Sequence, residues 1–262
     1  MSLVTRHRDF FAANANRYDD SRPPLLSDAP LAALIGAAAL VSQAWILDIA
    51  TGTGRVAIPL ARAGYRVIVL DQTEEMLRVL RNKAPDAGVT AVAATGRALP
   101  FANARFDVVV IARLLYLAPD WCEILADAVR VLHSSGRLLH EWAGGSPDEP
   151  WVQIRERLRT LLEEAGIDEP FHPGARRESE VEAFLESAGL VVTDKVKMPP
   201  DSTMTLGDFL DRTERGDFSY TWKAPHEVQQ QCLAELRRWA MGRFDLNLLA
   251  FARETSWKIY RR

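Results

Sequence analysis

A chain of 262 residues, 48% hydrophobic and 26% charged, has ordinary globular composition, which excludes a wholly disordered chain. At about 150 residues per domain there is room for one large α/β domain carrying insertions, or one domain with a small cap. A formal net charge of −3 supplies no global positive field to gather phosphates. The arginines at Arg155, Arg157, Arg159, Arg176 and Arg177 alternate with Glu156, Glu163, Glu164 and Glu178, so they read as a solvated helix face and no nucleic acid is expected. Two cysteines, Cys122 and Cys232, are too few for a disulfide framework or a zinc site, and no metal is implied. The longest apolar run, Leu31 to Val41, is 11 residues broken by Gly36, short of a membrane span. Met1 to His7 lacks the apolar core of a secretory signal. A cytoplasmic chain with no membrane association, monomeric or homodimeric, is the expectation.

In chain order, Trp45 to Ala50 reads as a buried strand, and Gly52-Thr53-Gly54 as the tight turn after it. Arg55 to Ala63 is predicted helical and closed by Gly64, followed by a strand over Tyr65 to Leu70. Thr73 can cap a helix to about Lys83, stopped before Pro85. Strands follow at Val89 to Ala94 and at Phe106 to Ile111. Asp120 with Glu123 resembles a capping box for a helix whose apolar positions are Ile124, Leu125, Ala128, Val129 and Leu132. Gly136 turns into a fifth strand, Arg137 to Trp142. This alternation argues for a doubly wound, mostly parallel α/β sheet. Helices are then predicted from Pro150 to Ala165 and from Glu178 to Ala188, with a sixth strand at Leu190 to Lys197. A region rich in Trp, Phe and Tyr runs to Trp222, and Pro225 opens a helix closed by Gly242. Thr255 to Tyr260 alternates like a strand with one solvated side, which predicts a seventh, antiparallel strand at the sheet edge.

Two glycines at a strand-to-helix turn, Gly52 and Gly54, let a ligand approach the backbone where a Cβ would block it. Asp71, 17 positions after Gly54 at the tip of the second strand, stands where a carboxylate can hold a ribose diol. Together they point to an adenosine-containing ligand. Gly52-Thr53-Gly54-Arg55-Val56-Ala57 also satisfies the dinucleotide pattern G-x-G-x-x-G/A, which would suit a nicotinamide-dependent oxidoreductase. Asp48 opposes that reading, because a carboxylate beside the turn repels a pyrophosphate. It suits instead a ligand with an ammonium and a sulfonium, as in S-adenosylmethionine. No Gly-Lys-Ser/Thr follows the turn, which excludes a P-loop.

The order Leu47-Asp48-Ile49-Ala50-Thr51-Gly52-Thr53-Gly54, Asp71 to Leu77, Ala98-Leu99-Pro100-Phe101, Phe106 to Val109 and Arg130 to Leu139 resembles the class I S-adenosylmethionine-dependent methyltransferases, in their UbiE-like, small-molecule branch. The resemblance implies a Rossmann-like seven-strand sheet, mostly parallel with an antiparallel C-terminal strand, carrying a helical N-terminal lid and an insertion after the fifth strand. It implies that Asp48 and the backbone around Ala50, Thr51 and Gly52 face the methionine part of S-adenosylmethionine, that Gly54 also belongs to the cofactor site, and that Asp71 takes the ribose hydroxyls with Gln72 and Met76 nearby. Thr95, Gly96 and Arg97 would border the adenine, Ala112 and Arg113 would lie under the cofactor, and Tyr18 would fold over it. Two positions depart from the family: Ala50 replaces the first motif glycine, and Thr95 stands where an adenine-binding Asp is usual. Ala112 to Tyr116 lacks the Asn/Asp-Pro-Pro-Tyr/Phe of amino-methylating DNA enzymes.

The expected organisation is a lid at 1–44, a cofactor-binding core at 45–142, a helical acceptor cap at 143–189, and a C-terminal part at 190–262. Tyr116, Trp142, Phe171, His172, Tyr220 and Trp222 are the aromatic candidates for the acceptor pocket. The expected reaction is methyl transfer to a small-molecule acceptor by direct displacement. If the acceptor carries a proton at its attacking atom, His140, Glu141 and His172 are the candidate bases. The alternatives are the oxidoreductase above and a non-catalytic protein that holds S-adenosylmethionine.

Overall fold

The apolar stretches of the first half form parallel strands, the central ones covered on both faces and the outermost partly exposed. In a computed structural model that describes residues 3–21, 25–168, 174–198, 204–250 and 255–262, these are β1 (Trp45–Ile49), β2 (Arg66–Asp71), β3 (Thr90–Ala93), β4 (Phe106–Ala112) and β5 (Leu132–Glu141). With β6 (Val191–Met198) and β7 (Thr255–Arg261) they make one sheet in the order β3-β2-β1-β4-β5-β7-β6. β1 to β5 pair in parallel, and β7 runs antiparallel to both β5 and β6. The strand order reverses between β1 and β4, and in open α/β sheets ligands bind at such a switch point, beyond the carboxyl ends of the strands.

The helices are α1 (Leu3–Asn14), α2 (Asp28–Ala37), α3 (Ala57–Arg62), α4 (Glu74–Lys83), α5 (Trp121–Val131), α6 (Pro150–Glu164), α7 (Glu178–Ser187), α8 (Leu206–Glu214) and α9 (His226–Met241). The chain divides into two compact units, Met1–Ala143 with Gly174–Met198 and Thr255–Arg262, and Gly144–Pro173 with Pro199–Glu254. In the first unit, neighbouring strand residues serve opposite faces. Ile46, Val108 and Val110 pack with Leu34, Ile58 and Leu80, whereas Leu47, Val109 and Ile111 pack with Leu125, Ala128 and Leu185. The sequence reading grouped α7 with the insertion, but its Val181 and Leu185 are part of this second core under the sheet.

The second unit has its own core, in which Leu158 and Leu161 of α6 meet Phe209 and Leu210 of α8 and Leu233 and Leu236 of α9. α8 was not expected. Its signal is Thr205-x-x-Asp208: the Thr205 hydroxyl accepts from the Asp208 amide while the Asp208 carboxylate accepts from the Thr205 amide, a reciprocal cap. The cap expected at Asp120 does not form, because its carboxylate instead faces Arg97 at 3.9 Å.

The largest departure concerns β7, which is interior rather than at the edge; β6 is the edge strand. Lys258 made β7 look half-solvated, yet it is only 6% exposed, because its Nζ pairs with Glu178 and Glu182 of α7 at 2.6 and 2.5 Å. β5 also begins five residues earlier than expected, at Leu132 instead of Arg137. No helix among the described residues is long and apolar enough to cross a membrane.

Candidate cofactor and active site

β1 ends in a loop whose backbone is left-handed at three positions, Ala50 (φ 55°), Gly52 (φ 55°) and Gly54 (φ 87°). The two glycines serve different ends. A Cβ on Gly52 would meet only the Tyr18 ring, at 4.0 Å, so Gly52 faces open space. A Cβ on Gly54 would lie 2.8 Å from Ile58 Cδ1 and 2.9 Å from Leu80 Cδ1. Gly54 therefore lets α3 and α4 close on the loop. Ala50 bears a Cβ in a region that costs L-residues about 1–2 kcal/mol. We expect Ala50→Gly to stabilise the fold by about 0.5–1 kcal/mol, less than the full strain because glycine gains entropy in the unfolded chain. A higher urea midpoint at unchanged slope is the result that would show it.

Two carboxylates close the floor of this loop. Asp48 Oδ2 accepts the Thr51 hydroxyl at 2.7 Å. Burial pushes the Asp48 carboxyl up to about 7, with the Thr51 hydroxyl and Arg55 pulling it down and Asp71 pushing it further up. Asp71, at the tip of β2, accepts the Gly52 amide on Oδ2 and the Thr73 amide on Oδ1, both at 2.9 Å. Burial raises its pKa as well, against those two amides and the Thr73 hydroxyl. A carboxylate has about four acceptor positions, so both Asp71 oxygens keep capacity toward a diol. Thr73 thus serves Asp71 rather than capping α4 with its side chain.

These groups border a cavity of about 150 Å³ at the carboxyl ends of β1, β2 and β4. Of the residues expected to bind cofactor, Tyr18, Asp48, Ala50, Thr51, Gly52, Asp71, Gln72, Met76, Thr95, Gly96, Ala112 and Arg113 line it. Gly54 does not, for the reason given, nor does Arg97, whose guanidinium is half exposed near Asp120.

Sequence reasoning missed Phe11, Asp19, Thr53 and Arg55, all of which line the cavity. Asp19 sits next to the expected Tyr18; its carboxylate accepts the Thr53 hydroxyl at 2.5 Å and pairs with Lys83 at 2.6 Å, which fixes the N-terminal segment against the β1 loop and α4. Only the adjacency to Tyr18 could have pointed to it.

Among the candidate bases, Glu141 is 1% exposed and both its oxygens are taken by guanidiniums, one by Arg55 and one by Arg113 at 3.1 Å. His140 is fully buried, and neither ring nitrogen has a hydrogen-bond partner. Burial and the positive Lys258 beside it push its pKa down to about 3, so it is a neutral core side chain. It does not line the cavity. Trp142 packs edge-on against Tyr116, with ring centroids 5.5 Å apart, near the ends of β4 and β5. Tyr220 stacks on Phe218 and Trp222 donates to the Gly216 carbonyl, both within the second unit. Phe171 and His172 lie outside the described residues.

The seven-strand order with one antiparallel strand, the glycine turn after β1 and the acidic tip of β2 define a class I methyltransferase fold. Residues 46–136 match the methyltransferase domain family. An uncharacterised protein of Mycobacterium tuberculosis (strain ATCC 25618 / H37Rv) is 35% identical over 107 residues, covering 40% of this chain and 39% of the relative. A demethylmenaquinone methyltransferase of Thermobifida fusca is 39% identical over 110 residues, covering 41% and 47%. A phosphoethanolamine N-methyltransferase of Haemonchus contortus, solved with S-adenosylhomocysteine, superposes with a TM-score of 0.59 at 17% identity, covering 97% of this chain and 59% of that one. The chain spans less than half the length of the curated relatives it matches. Residues 46–136 of its first unit are thus similar in sequence to methyltransferases, and the chain shares the fold of solved methyltransferases.

Proposed function

We propose that this chain binds S-adenosylmethionine in the cavity beside β1 and β2 and transfers its methyl group to a small-molecule acceptor. The observation that carries this reading is the cradle at Gly52, open where a Cβ would stand, with Asp71 bonded to its amide and Asp48 beneath. The residues fit the cofactor: Asp71 offers two oxygens to a ribose diol, and ionised Asp48 answers an ammonium. A pyrophosphate on this turn would meet Asp48, which weighs against a dinucleotide. The bound cofactor supplies an already activated methyl group on a positive sulfur. The chain's work is then positioning, which can contribute about 7–11 kcal/mol. Glu141 is committed to two arginines and His140 stands outside the cavity, so neither is offered as a base.

Asp48 makes the reading testable. Its carboxyl titrates near 7, and only its ionised form attracts an ammonium, so ligand binding releases a proton below that pH. Affinity for S-adenosylhomocysteine, measured by calorimetry, should rise about tenfold from pH 6 to pH 8. Asp48→Asn should bind more weakly with a flat profile, and NAD should not bind. Binding of NAD without the adenosyl ligand would overturn the reading.

A further inference from the structure

Three carboxylates on the cavity wall accept hydrogen bonds from the chain itself: Asp48 from the Thr51 hydroxyl, Asp71 from two amides and Asp19 from the Thr53 hydroxyl. Asp120 is the exception. It lines the same cavity with 15% of its side chain exposed, and it caps no amide of α5. Among the described residues its carboxylate has one polar partner, the Arg97 guanidinium, whose Nε stands 3.9 Å away, beyond hydrogen-bond reach. A carboxylate has about four acceptor positions, and a ligand that displaces water from them without donating leaves them unsatisfied at a cost. The ligand group that settles beside Asp120 is therefore a hydrogen-bond donor.

Strand order says which group that is. β1, β2 and β3 lie side by side, with Asp48 near the end of β1, Asp71 at the tip of β2, and Thr95 and Gly96 just past β3. On the reading above, from which this inference proceeds, the donor's ammonium answers Asp48 and its ribose answers Asp71. Its base then continues in the same direction, toward Thr95 and Gly96. Gly96 packs there against α5, since a Cβ on it would lie 3.4 Å from Ile124 Cγ1. Asp120 stands one helical turn before Ile124, whose amide donates to the Asp120 carbonyl at 3.0 Å, so both share one face of the helix. Met76, Ala118 and Ile124 offer apolar walls to a flat ring at this end of the cavity, with Asp120 and Thr95 as polar groups beside them. The Thr95 hydroxyl accepts the Arg97 amide at 3.5 Å and keeps its own proton to donate to a ring nitrogen.

We infer that Asp120 reads the exocyclic amino group of the donor's adenine, accepting its N–H, and so makes the site specific for an aminopurine. A site built to accept from one ligand group rejects the analogue that lacks it. The test compares S-adenosylhomocysteine with its purine analogue, identical except that hydrogen replaces the amino group at C6. Both are titrated by calorimetry at pH 8 into the unmodified protein, Asp120→Ala and Asp120→Asn, with melting curves to confirm folding. The unmodified protein should bind S-adenosylhomocysteine at least about tenfold more tightly than the analogue, as a hydrogen bond to a charged group predicts. Asp120→Ala should bring that ratio close to one by weakening S-adenosylhomocysteine alone, and Asp120→Asn, which keeps a carbonyl acceptor, should restore part of it. A merely structural role for Asp120 would weaken both ligands alike and leave the ratio where it was. Asp120→Leu takes the place of the alanine variant if that variant does not fold. A ratio near one in the unmodified protein, or an unchanged ratio in Asp120→Ala, overturns the assignment and leaves the methyl-transfer reading standing. Failure of S-adenosylhomocysteine to bind the unmodified protein overturns both.

Discussion

Asp71→Ala lowers the affinity for S-adenosylhomocysteine by a factor of about 100 or more. Two hydrogen bonds from a ribose diol to a carboxylate contribute about 1.5–3 kcal/mol each, and the substitution removes both. It also strips the Gly52 and Thr73 amides of the partner that sets the loop's shape. Asp71→Asn, which keeps one carbonyl oxygen, should fall between the two. Calorimetric titration of the three proteins, with melting curves to confirm folding, measures the series. Unchanged affinity in the alanine variant would place the ribose elsewhere.

Gly54→Ala destabilises the first unit by about 2–5 kcal/mol, combining left-handed strain of about 1–2 with overpacking of about 1–3. The new methyl would press on Ile58 and Leu80, both fully buried, so neither side chain has room to swing away. Urea unfolding reads the loss directly, and a cost below about 0.5 kcal/mol would show that the α3–α4 contact is looser than its geometry implies.

The glycine loop, its preceding strand and the acidic tip of β2 were legible because each is a local pattern: an apolar run, two small residues, one carboxylate at a strand end. The division of labour between Gly52 and Gly54 was not. Two glycines two residues apart look alike in sequence, and what separates them is contact with Ile58 and with Leu80, the latter 26 positions further on. Arg97 was placed by analogy of position, whereas its direction follows from Asp120. The place of β7 was hidden for a related reason. A lysine in a strand reads as solvent, and only the fold brings Glu178 and Glu182 over it. The Arg55–Glu141–Arg113 arrangement joins three separate segments, so no window of sequence contains it.

The seating of β7 between β5 and β6 also bears on how the sheet is assembled. β5 finishes at Glu141, but the strand that covers its free edge starts at Thr255. A chain growing from its N-terminus must therefore carry β5, and later β6, with open edges until the last strand arrives. That strand brings Trp257, Ile259 and Tyr260 into the two cores at once, so the final closure couples both faces of the sheet. Pairing across so long a separation is slow to form, and open edges in the interval invite association with other chains. The ion pairs of Lys258 with α7 belong to that last step, which makes them a lock on a sheet already threaded rather than a guide to threading it.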